Sequence, residues 1–394
     1  MHDATDPTDS TTTGRGASGP SRRTVLRWAG LGGMLGTASW VVGCVPMGSG
    51  SPATDLIVRP GFTGRVIAVA GRPIGETGHT FGPFPDGAST FPDPDVPGGW
   101  FLAVNHEAPL GGGGVTSIRF APDGTIVDAY PILEGTSINC AGGRTPWGTW
   151  LSCEEHDQGV VWECNPRRRS QGIDHRAMGV FAHEAAAVAD DGRVYLTEDR
   201  PNGCWYRFTP TTPGDLRHGV LELATGSAPG TIVWRRVPDP AAEFTRCRDQ
   251  VDSALHFHGA EGIDTFGRTV WFTTKGDDRV WRYDLDTAEL AVHYQAGDGS
   301  VLSGVDNVLA DRTSGSLVIA EDGDDMQLVA IRADGSLEAV VQVVGHDGSE
   351  MTGPTLSPDR RRMYFSSQRG KVFGLPIGVT YEVEGPWDGL LSPT

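Results

Sequence analysis

The sequence lacks the features of several large protein classes. None of its apolar runs reaches the roughly 20 residues that a stable membrane-spanning helix needs. No segment shows the 3.6-residue apolar period of a long amphipathic helix, and no stretch of more than three basic residues occurs. The formal net charge is −18 at pH 7. Because binding of nucleic acid depends mainly on positive charge, we expect no nucleic-acid partner.

The N-terminus carries the pattern of a twin-arginine export signal. Two adjacent arginines stand in Ser21-Arg22-Arg23-Thr24-Val25-Leu26-Arg27, and an uncharged, glycine-interrupted stretch follows at 28–43. We expect residues 1–43 to be cleaved, which leaves a mature chain with a formal charge of −19, since this segment holds four arginines and three aspartates. The pattern predicts export through the twin-arginine machinery.

Cys44 follows Val41-Val42-Gly43, as a cysteine follows small or branched residues at lipoprotein processing sites. This predicts a lipid-bearing Cys44 at the start of the mature chain and a location in the cell envelope, anchored to the outer face of the membrane. The alternative is a free cysteine beside an ordinary cleavage site.

Five cysteines remain after Cys44. An odd number in an exported chain indicates that one of them lies outside any disulfide. Four of the five, Cys153, Cys164, Cys204 and Cys247, allow three sets of disulfide pairings that the sequence does not rank. A disulfide between Cys164 and Cys204 is one candidate.

One sequence pattern recurs along the rest of the chain: a turn with glycine, an apolar strand with a polar or acidic end, and often a further strand. The six copies span 99–107, 147–155, 192–199, 267–275, 315–322 and 361–368. Their spacing is close to the roughly 40 to 50 residues of a four-stranded propeller blade. The 55 glycines and 27 prolines suit short strands and tight turns. The sequence therefore predicts an all-β fold, a six-bladed propeller around a central channel.

The further strands of this pattern are predicted at 205–208, 280–283, 327–331 and 372–375. The domain boundaries follow from the repeat. We expect a linker at 44–60, the propeller at 61–380, an insertion around 209–255 where the third gap between copies is wide, and a C-terminal tail at 381–394.

Potential metal ligands stand at nearly the same offset before the end of successive copies: Cys140, Glu184, Glu261, Asp306 and Glu350. The first copy adds Glu107. Because the innermost strands of a propeller line its channel, these side chains should meet there, where several carboxylates would repel one another unless cations bind. Carboxylate oxygens suit Ca²⁺, and a thiolate among them indicates a transition metal such as iron.

Each of these residues has a structural alternative. A lone cysteine in a strand, such as Cys140, is usually a small buried apolar residue. Acids at strand ends are either ligands or turn caps: Glu154, Glu155, Glu198, Glu321 and Asp322. Four histidines could be ligands, bases or packed side chains: His106, His183, His256 and His258.

The run Asn139-Cys140-Ala141-Gly142-Gly143-Arg144-Thr145-Pro146-Trp147-Gly148-Thr149-Trp150-Leu151-Ser152-Cys153-Glu154-Glu155 resembles the signature of the PhoX-type alkaline phosphatases. Asn105-His106-Glu107, Phe181-Ala182-His183-Glu184-Ala185 and Gly353-Pro354-Thr355-Leu356-Ser357-Pro358-Asp359 follow the order of that family. The resemblance covers about 62–375.

The resemblance implies a six-bladed propeller that hydrolyses phosphate monoesters with two Fe³⁺ ions, bridged by an oxo group, and Ca²⁺ beside them. Cys140 would then ligate iron, Asp306 calcium, and Glu107, Glu184 and Glu261 both metals. A metal-bound oxygen, rather than a side chain, would attack phosphorus.

One departure concerns the substrate. Larger members have Arg-Pro-Glu near the phosphate, whereas this chain reads Gly259-Ala260-Glu261. Arg144 and Arg200 are the candidates for a replacement clamp on the phosphate.

Two other functions fit the same fold. A calcium-dependent lactonase or esterase would use Asp306 and Asn307 but has no use for the thiolate of Cys140. A non-catalytic envelope lipoprotein would bind partners and no iron.

Overall fold

The computed structural model describes residues 50–169, 172–323, 325–372, 375–376 and 378–392, with backbone only at 371–372 and 375–376. The predicted export signal and Cys44 lie outside these residues. The described part contains no helix with the length and apolar character that crossing a membrane requires. Its regular structure is almost entirely β-strand, as predicted.

Most strands pair antiparallel with their neighbours in the chain. One four-stranded sheet consists of β3 (Pro85–Pro92), β4 (Trp100–His106), β5 (Gly113–Phe120) and β6 (Ile126–Thr136). A second consists of β7 (Asn139–Arg144), β8 (Trp150–Glu154), β9 (Val161–Cys164) and β10 (Ile173–Asp174).

A nine-stranded sheet follows. Its first part is β11 (His183–Val188), β12 (Val194–Glu198), β13 (Trp205–Thr212), β14 (Asp215–Gly226) and β15 (Gly230–Arg236). Its second part is β16 (Ala260–Phe266), β17 (Thr269–Thr274), β18 (Arg279–Asp284) and β19 (Glu289–Gln295). Only two residue pairs, between β15 and β19, join the two parts.

The last two large sheets use both ends of the described chain. One contains β20 (Val305–Ala310), β21 (Leu317–Glu321), β22 (Gln327–Ile331), β23 (Leu337–Val343) and, at its edge, β1 (Leu56–Val58). The other contains β24 (Met351–Leu356), β25 (Arg362–Ser367), β28 (Val379–Glu384) and β2 (Thr63–Val69). A small hairpin of β26 (Lys371–Val372) and β27 (Leu375–Pro376), three 3₁₀ turns (Arg176–Met178, Cys247–Asp249, Lys275–Asp277) and helix α1 (Trp387–Leu391) complete the regular elements.

Six strands, each the first of its antiparallel series, contact one another in a closed circle. β3 contacts β7, β7 contacts β11, and the series continues through β16, β20 and β24 back to β3. Small residues permit this approach. A Cβ added to Gly143 would lie 1.7 Å from the carbonyl oxygen of Ala186, and one added to Gly262 would lie 2.6 Å from the Cα of Asn307. The circle encloses a channel along the axis of the fold.

The apolar core lies between neighbouring sheets, and between the two parts of the nine-stranded sheet, away from this channel. Between β13 and β17, for example, the ring of Trp205 stacks on Phe272 at 4.9 Å and meets Trp234 edge-on at 4.8 Å. Because the apolar side chains pack between the sheets, the inner strands can present polar side chains to the channel axis.

The two predicted chain ends are part of the fold. Strand β1 lies within the predicted linker, and residues 381–391 of the predicted tail form the end of β28 and helix α1. Val379, Tyr381 and Val383 alternate along β28 and are buried in one cluster with Trp387. This alternation is a strand signal, so the boundary at 380 was wrong.

Two strand predictions near the insertion and the C-terminus also need correction. Strand β14 lies inside the predicted insertion 209–255 but pairs with β13 as an ordinary sheet neighbour. The partner of β25 is β28 rather than the predicted strand at 372–375. Of that prediction, the described residues 372 and 375 belong to the separate hairpin, and residues 373–374 lie outside the described part.

The candidate disulfide between Cys164 and Cys204 is not formed. All five cysteines in the described part are free. Cys164 packs with Trp150 and Phe101, whereas Cys204 packs with Tyr206 and Phe208 in a different cluster.

Candidate metal centre

The same irregularity occurs near the beginning of all six inner strands. In each pair of first and second strands the register shifts by one residue, which is the mark of a β-bulge. Bulges re-aim side chains and are frequent beside functional sites. In five of the pairs, the residue that opens the bulge is an acid or a cysteine: Asp86, Cys140, Glu184, Glu261 and Asp306.

These five residues, together with Glu350 just before β24, form what we call the inner ring. Its five carboxylates are buried. The Cys140 Sγ lies 3.3 Å from the Glu184 Oε1 atom. Because the inner strands close a circle, residues from distant parts of the sequence converge at one end of the channel.

A second set of six residues directly follows the second strands, and we call it the outer ring: Glu107, Glu155, Asp199, Lys275, Asp322 and Gln368. Four of them are acids. The Gln368 side-chain amide donates hydrogen bonds to the carboxylates of both Asp86 and Glu107, and so links the two rings.

The two rings supply four overlapping groups of potential metal ligands, and within each group the ligand atoms lie within 4.8 Å of one another. Cys140 belongs to two of these groups and Asp306 to two others. The groups are Asp86–Glu107–Cys140, Cys140–Glu155–Glu184, Glu184–Glu261–Asp306 and Asp306–Asp322–Glu350.

Burial and mutual repulsion make the charged forms of these residues unfavourable. Burial, and then the charges of Glu261 and Glu155, raises the pKa of Glu184 well above its ordinary range. Burial, and then Asp86 and Glu184, raises the pKa of Cys140 in the same way. A bound cation would reverse these shifts, because it favours the deprotonated ligand.

Two carboxyls of the rings have pKa values displaced into the neutral and alkaline range. Burial, followed by the charges of Asp199 and Glu107, raises the pKa of Glu155 to about 7. Burial, followed by Asp306 and Asp322, raises the pKa of Glu350 to about 9.

Three basic side chains lie against the rings. The Lys275 Nζ atom is 2.9 Å from Asp322, 3.2 Å from Asp306 and 3.5 Å from Glu261. Arg369 pairs with Glu350 at 2.6 Å, and Arg200 pairs with Glu155 at 3.1 Å.

The donor set fits metal ions. Among the described residues, the buried Asp86 Oδ1 atom has no hydrogen-bond partner, and the buried Glu261 Oε1 atom has only the Lys275 ammonium, at 3.5 Å. A buried carboxylate oxygen of this kind is costly unless a partner is supplied. Oxygen ligands suit hard cations, and the thiol of Cys140 adds the softer ligand that iron accepts.

The structure brings together the predicted metal ligands and separates the predicted phosphate-binding arginines. The six predicted ligands lie in the two rings: Glu107, Cys140, Glu184, Glu261, Asp306 and Glu350. Arg200 lies at the edge of the outer ring. Arg144 lies four residues from Cys140 at the other end of β7, roughly 13 Å away at the rise of a strand. It lines a cavity with Arg312 and Arg167 there, apart from the rings, and its assignment to the phosphate stays a prediction.

The strand-end acids divide into two kinds. Glu155 and Asp322 belong to the outer ring. By contrast, Glu154, Glu198 and Glu321 are the last residues of their strands and cap the following loops. Each accepts a hydrogen bond from the backbone N–H six residues later, at 3.3, 3.0 and 3.2 Å respectively. These three residues are structural.

The histidines form no part of the four candidate metal groups. His106 and His183 are buried, and burial lowers the pKa of each to about 3, so both are neutral. His106 hydrogen-bonds Thr116 at 2.8 Å, and His183 stacks on Phe181 at 3.6 Å. His256 hydrogen-bonds the carbonyl oxygen of Asn202. The first two are packed side chains.

Sequence reasoning missed five residues of this region: Asp86, Asp199, Lys275, Gln368 and Arg369. Asp86 stands beside small residues in Pro85-Asp86-Gly87-Ala88, as the other inner-ring residues do, and this signal could have found it. Asp199 could have been found from its position one residue after Glu198. Lys275 and Gln368 could have been found from their positions at the ends of repeat copies, and no sequence signal distinguishes Arg369.

Comparison with known proteins finds one matching family model and solved structures with the same type of fold. The sequence model of the family Alkaline phosphatase PhoX matches residues 112–164 and 156–284. A structure of Pseudomonas fluorescens PhoX in complex with vanadate, a transition state analogue, superposes with a TM-score of 0.71. The match covers 88% of this chain and 98% of that chain, at 19% sequence identity. The resemblance drawn from the sequence motifs is confirmed.

Two further solved structures superpose less closely. A gluconolactonase from Xanthomonas campestris has a TM-score of 0.51 and 14% identity, over 87% of this chain and 99% of its own. A protein of unknown function from Bacteroides thetaiotaomicron has a TM-score of 0.51 and 10% identity, over 82% and 76%. At such identities the superpositions show the fold, which is all-β and propeller-like. No protein with a curated description matches the sequence.

The raised carboxyl pKa values predict how pH affects the metal-stripped protein. Glu155 and Glu350 keep protons in the folded state that they release in the unfolded state near pH 4.5. These retained protons stabilise the folded state, and their contribution is complete below that pH. It is lost as pH rises through the folded-state pKa values, about 7 for Glu155 and about 9 for Glu350. The melting temperature of chelator-treated protein should therefore fall by several degrees between about pH 5.5 and about pH 9.

Glu155→Gln is the matched control for this prediction, because glutamine imitates the protonated carboxyl at every pH. Its melting temperature should fall less than that of the wild type over the same range. Equal slopes for the two proteins would contradict the assignment to Glu155.

Proposed function

We propose that the chain is a PhoX-like alkaline phosphatase and that it hydrolyses phosphate monoesters at metal ions held by the two rings. The observation that carries the proposal is the charge of the rings. Nine carboxylates and one thiol converge there, against the basic side chains of Lys275, Arg369 and Arg200. Such a site needs cations to be stable with its ligands deprotonated.

We assign iron to the side of the rings that contains Cys140, and calcium to the purely carboxylate side. The iron ligands would be Cys140 with Asp86 and Glu107, and again Cys140 with Glu155 and Glu184. Calcium would take its oxygen ligands either from the group Glu184–Glu261–Asp306 or from the group that contains Glu350. When bound, these ions supply Lewis-acid chemistry that neutralises phosphoryl charge and activates a water.

The chain's own residues bind and orient the phosphate. Arg369 follows Gln368 at the outer ring, its side chain is 42% exposed, and its guanidinium reaches toward Glu350 and Glu107. A guanidinium so placed can turn one face to the rings and another to an entering phosphate. Arg200 lies at the opposite part of the rim, between Glu155 and Asp157. We therefore assign the phosphate clamp to Arg369, with Arg200 in support.

The solved Pseudomonas fluorescens PhoX is described in complex with vanadate, a transition state analogue. This supports phosphoryl transfer as the reaction class. A calcium-dependent lactonase finds less support, because Asn307 donates to Asp306 at 2.8 Å and accepts from the Gly353 N–H at 2.7 Å, so its amide is already engaged. A non-catalytic lipoprotein would not require unpaired carboxylate oxygens in the channel.

We propose six four-stranded blades for the fold. The nine-stranded sheet would be two blades, β11–β14 and β16–β19, joined by β15. The six inner strands with matched bulges support this count, because each would belong to one blade.

We also propose that the enzyme is exported as a folded protein and is then anchored by a lipid at Cys44. An iron site with a thiolate ligand is best assembled where thiols stay reduced, and the five free cysteines of the described part fit such assembly.

Cys140→Ala should remove iron together with any visible absorption, and should lower phosphomonoester hydrolysis by roughly 100-fold or more, since a ligand is lost. Cys247→Ala is the matched control, because Cys247 is a buried thiol away from the rings. Elemental analysis and absorption spectra of both variants test this. An unchanged iron content in Cys140→Ala would remove the thiolate from the account.

Arg369→Met should raise KM for a chromogenic phosphomonoester by roughly tenfold to 100-fold, because one or two charge-assisted hydrogen bonds to the phosphate are lost. Arg144→Met should leave KM unchanged, since Arg144 lies at the other end of β7. Steady-state kinetics decide between them: a KM effect in Arg144→Met but not in Arg369→Met would reverse our assignment.

Export is tested by fractionating cells that express the wild type, Arg22→Lys with Arg23→Lys, and Cys44→Ser. We expect the double variant to stay in the cytoplasm and Cys44→Ser to be exported but released from the membrane. Export of the double variant in normal amounts would argue against the twin-arginine route.

A further inference from the structure

Lys275 occupies an unusual place in the rings. The equivalent position after the second strand holds a carboxylate in four of the six cases, and Lys275 is the one basic residue of the outer ring. The backbone N–H of Lys275 donates to the carbonyl oxygen of Gly259 at 2.9 Å, so its strand end is fixed beside β16. The ammonium group is therefore built into the ring.

The contacts of the ammonium resemble those of a bound cation. Nζ lies within 3.5 Å of three carboxylates from three different elements, Glu261, Asp306 and Asp322. Asp306 is shared by two of the candidate metal groups, and Glu261 and Asp322 each belong to one of them. Lys275 thus stands between the third and fourth groups, where an ion would have to bind.

The composition makes this position stand out. The chain has 32 lysines and arginines together, and only two of these are lysines, Lys275 and Lys371. A lysine ammonium is a compact point charge, whereas a guanidinium is a planar fork. The compact group is the one that can replace a metal ion among converging oxygen atoms.

We propose that Lys275 takes the place of one metal cation at the Glu261–Asp306–Asp322 corner, so that the carboxylate side of the rings holds one calcium fewer than its two candidate groups would allow. The inference rests on the proposed function, because it assumes that the remaining groups hold metal. It has a consequence for stoichiometry: the two purely carboxylate groups, which share Asp306, together bind at most one ion while the ammonium is present.

Lys275→Met tests the proposal by elemental analysis. Methionine keeps much of the length and removes the charge, so the corner becomes an all-carboxylate site. We expect the variant, equilibrated with excess Ca²⁺ and desalted, to retain one more calcium per chain than the wild type. Arg217→Met is the matched control, since it breaks an exposed ion pair with Asp215, and its calcium content should equal that of the wild type.

A second measurement uses only the wild type, so its result does not depend on whether a variant folds. The wild type, loaded with metal, is treated with an amine-acetylating reagent, and the modification of Lys275 and Lys371 is read by peptide mass spectrometry. We expect Lys275 to be protected relative to the urea-unfolded protein, both before and after metal loading. Lys275 that becomes reactive on metal loading would show that an ion displaces it, and would overturn the proposal.

The rival role for Lys275 is direct binding of the substrate phosphate. In that case Lys275→Met would raise KM and leave the calcium content unchanged, which would also overturn the proposal. Failure of the proposed function is distinguishable, because a wild type that binds no iron and no calcium fails before the variant is compared.

Discussion

Repulsion among buried carboxylates at the channel axis is the constraint on which the rest of the structure depends. Within each of the four candidate metal groups, the ligand atoms lie within 4.8 Å of one another. Two unit charges at that distance repel by roughly 3 kcal/mol at an effective dielectric constant of about 20, and nine carboxylates multiply such terms. A domain stable by only about 5 to 15 kcal/mol cannot hold them all ionised without counter-charges. The site must therefore hold protons, basic side chains or metal ions.

The fold imposes this convergence by simple means. Small residues such as Gly143 and Gly262 let the inner strands meet backbone to backbone, and a bulge in five of the six strand pairs holds an acid or a cysteine at the axis. The apolar cores between the sheets carry the stability that the axis lacks. The chain ends close the circle, because β2 pairs with β28.

Much of this site could be predicted from the sequence, and the omissions have physical causes. The inner strands and second strands are separated by short turns in most copies, so a fixed offset located Cys140, Glu184, Glu261 and Asp306. A longer loop separates β3 from β4, and this displaced Asp86 from the offset. Lys275 and Gln368 were missed because a search for acids passes over the cationic and amide side chains that contact them. Arg144 lies apart from the rings, although it is close to Cys140 in the sequence, because a strand advances along the channel by roughly 3.3 Å per residue.

The central claim is that metal ions balance the charge of the rings and enable phosphate-ester hydrolysis. The most direct test is to purify the protein after native export, measure iron and calcium per chain, and assay a chromogenic phosphomonoester before and after chelation. We expect both metals to be present, hydrolysis to stop when they are removed, and activity to return when they are restored. A protein that contains neither metal, or that hydrolyses the ester equally well after both are stripped, would contradict the account.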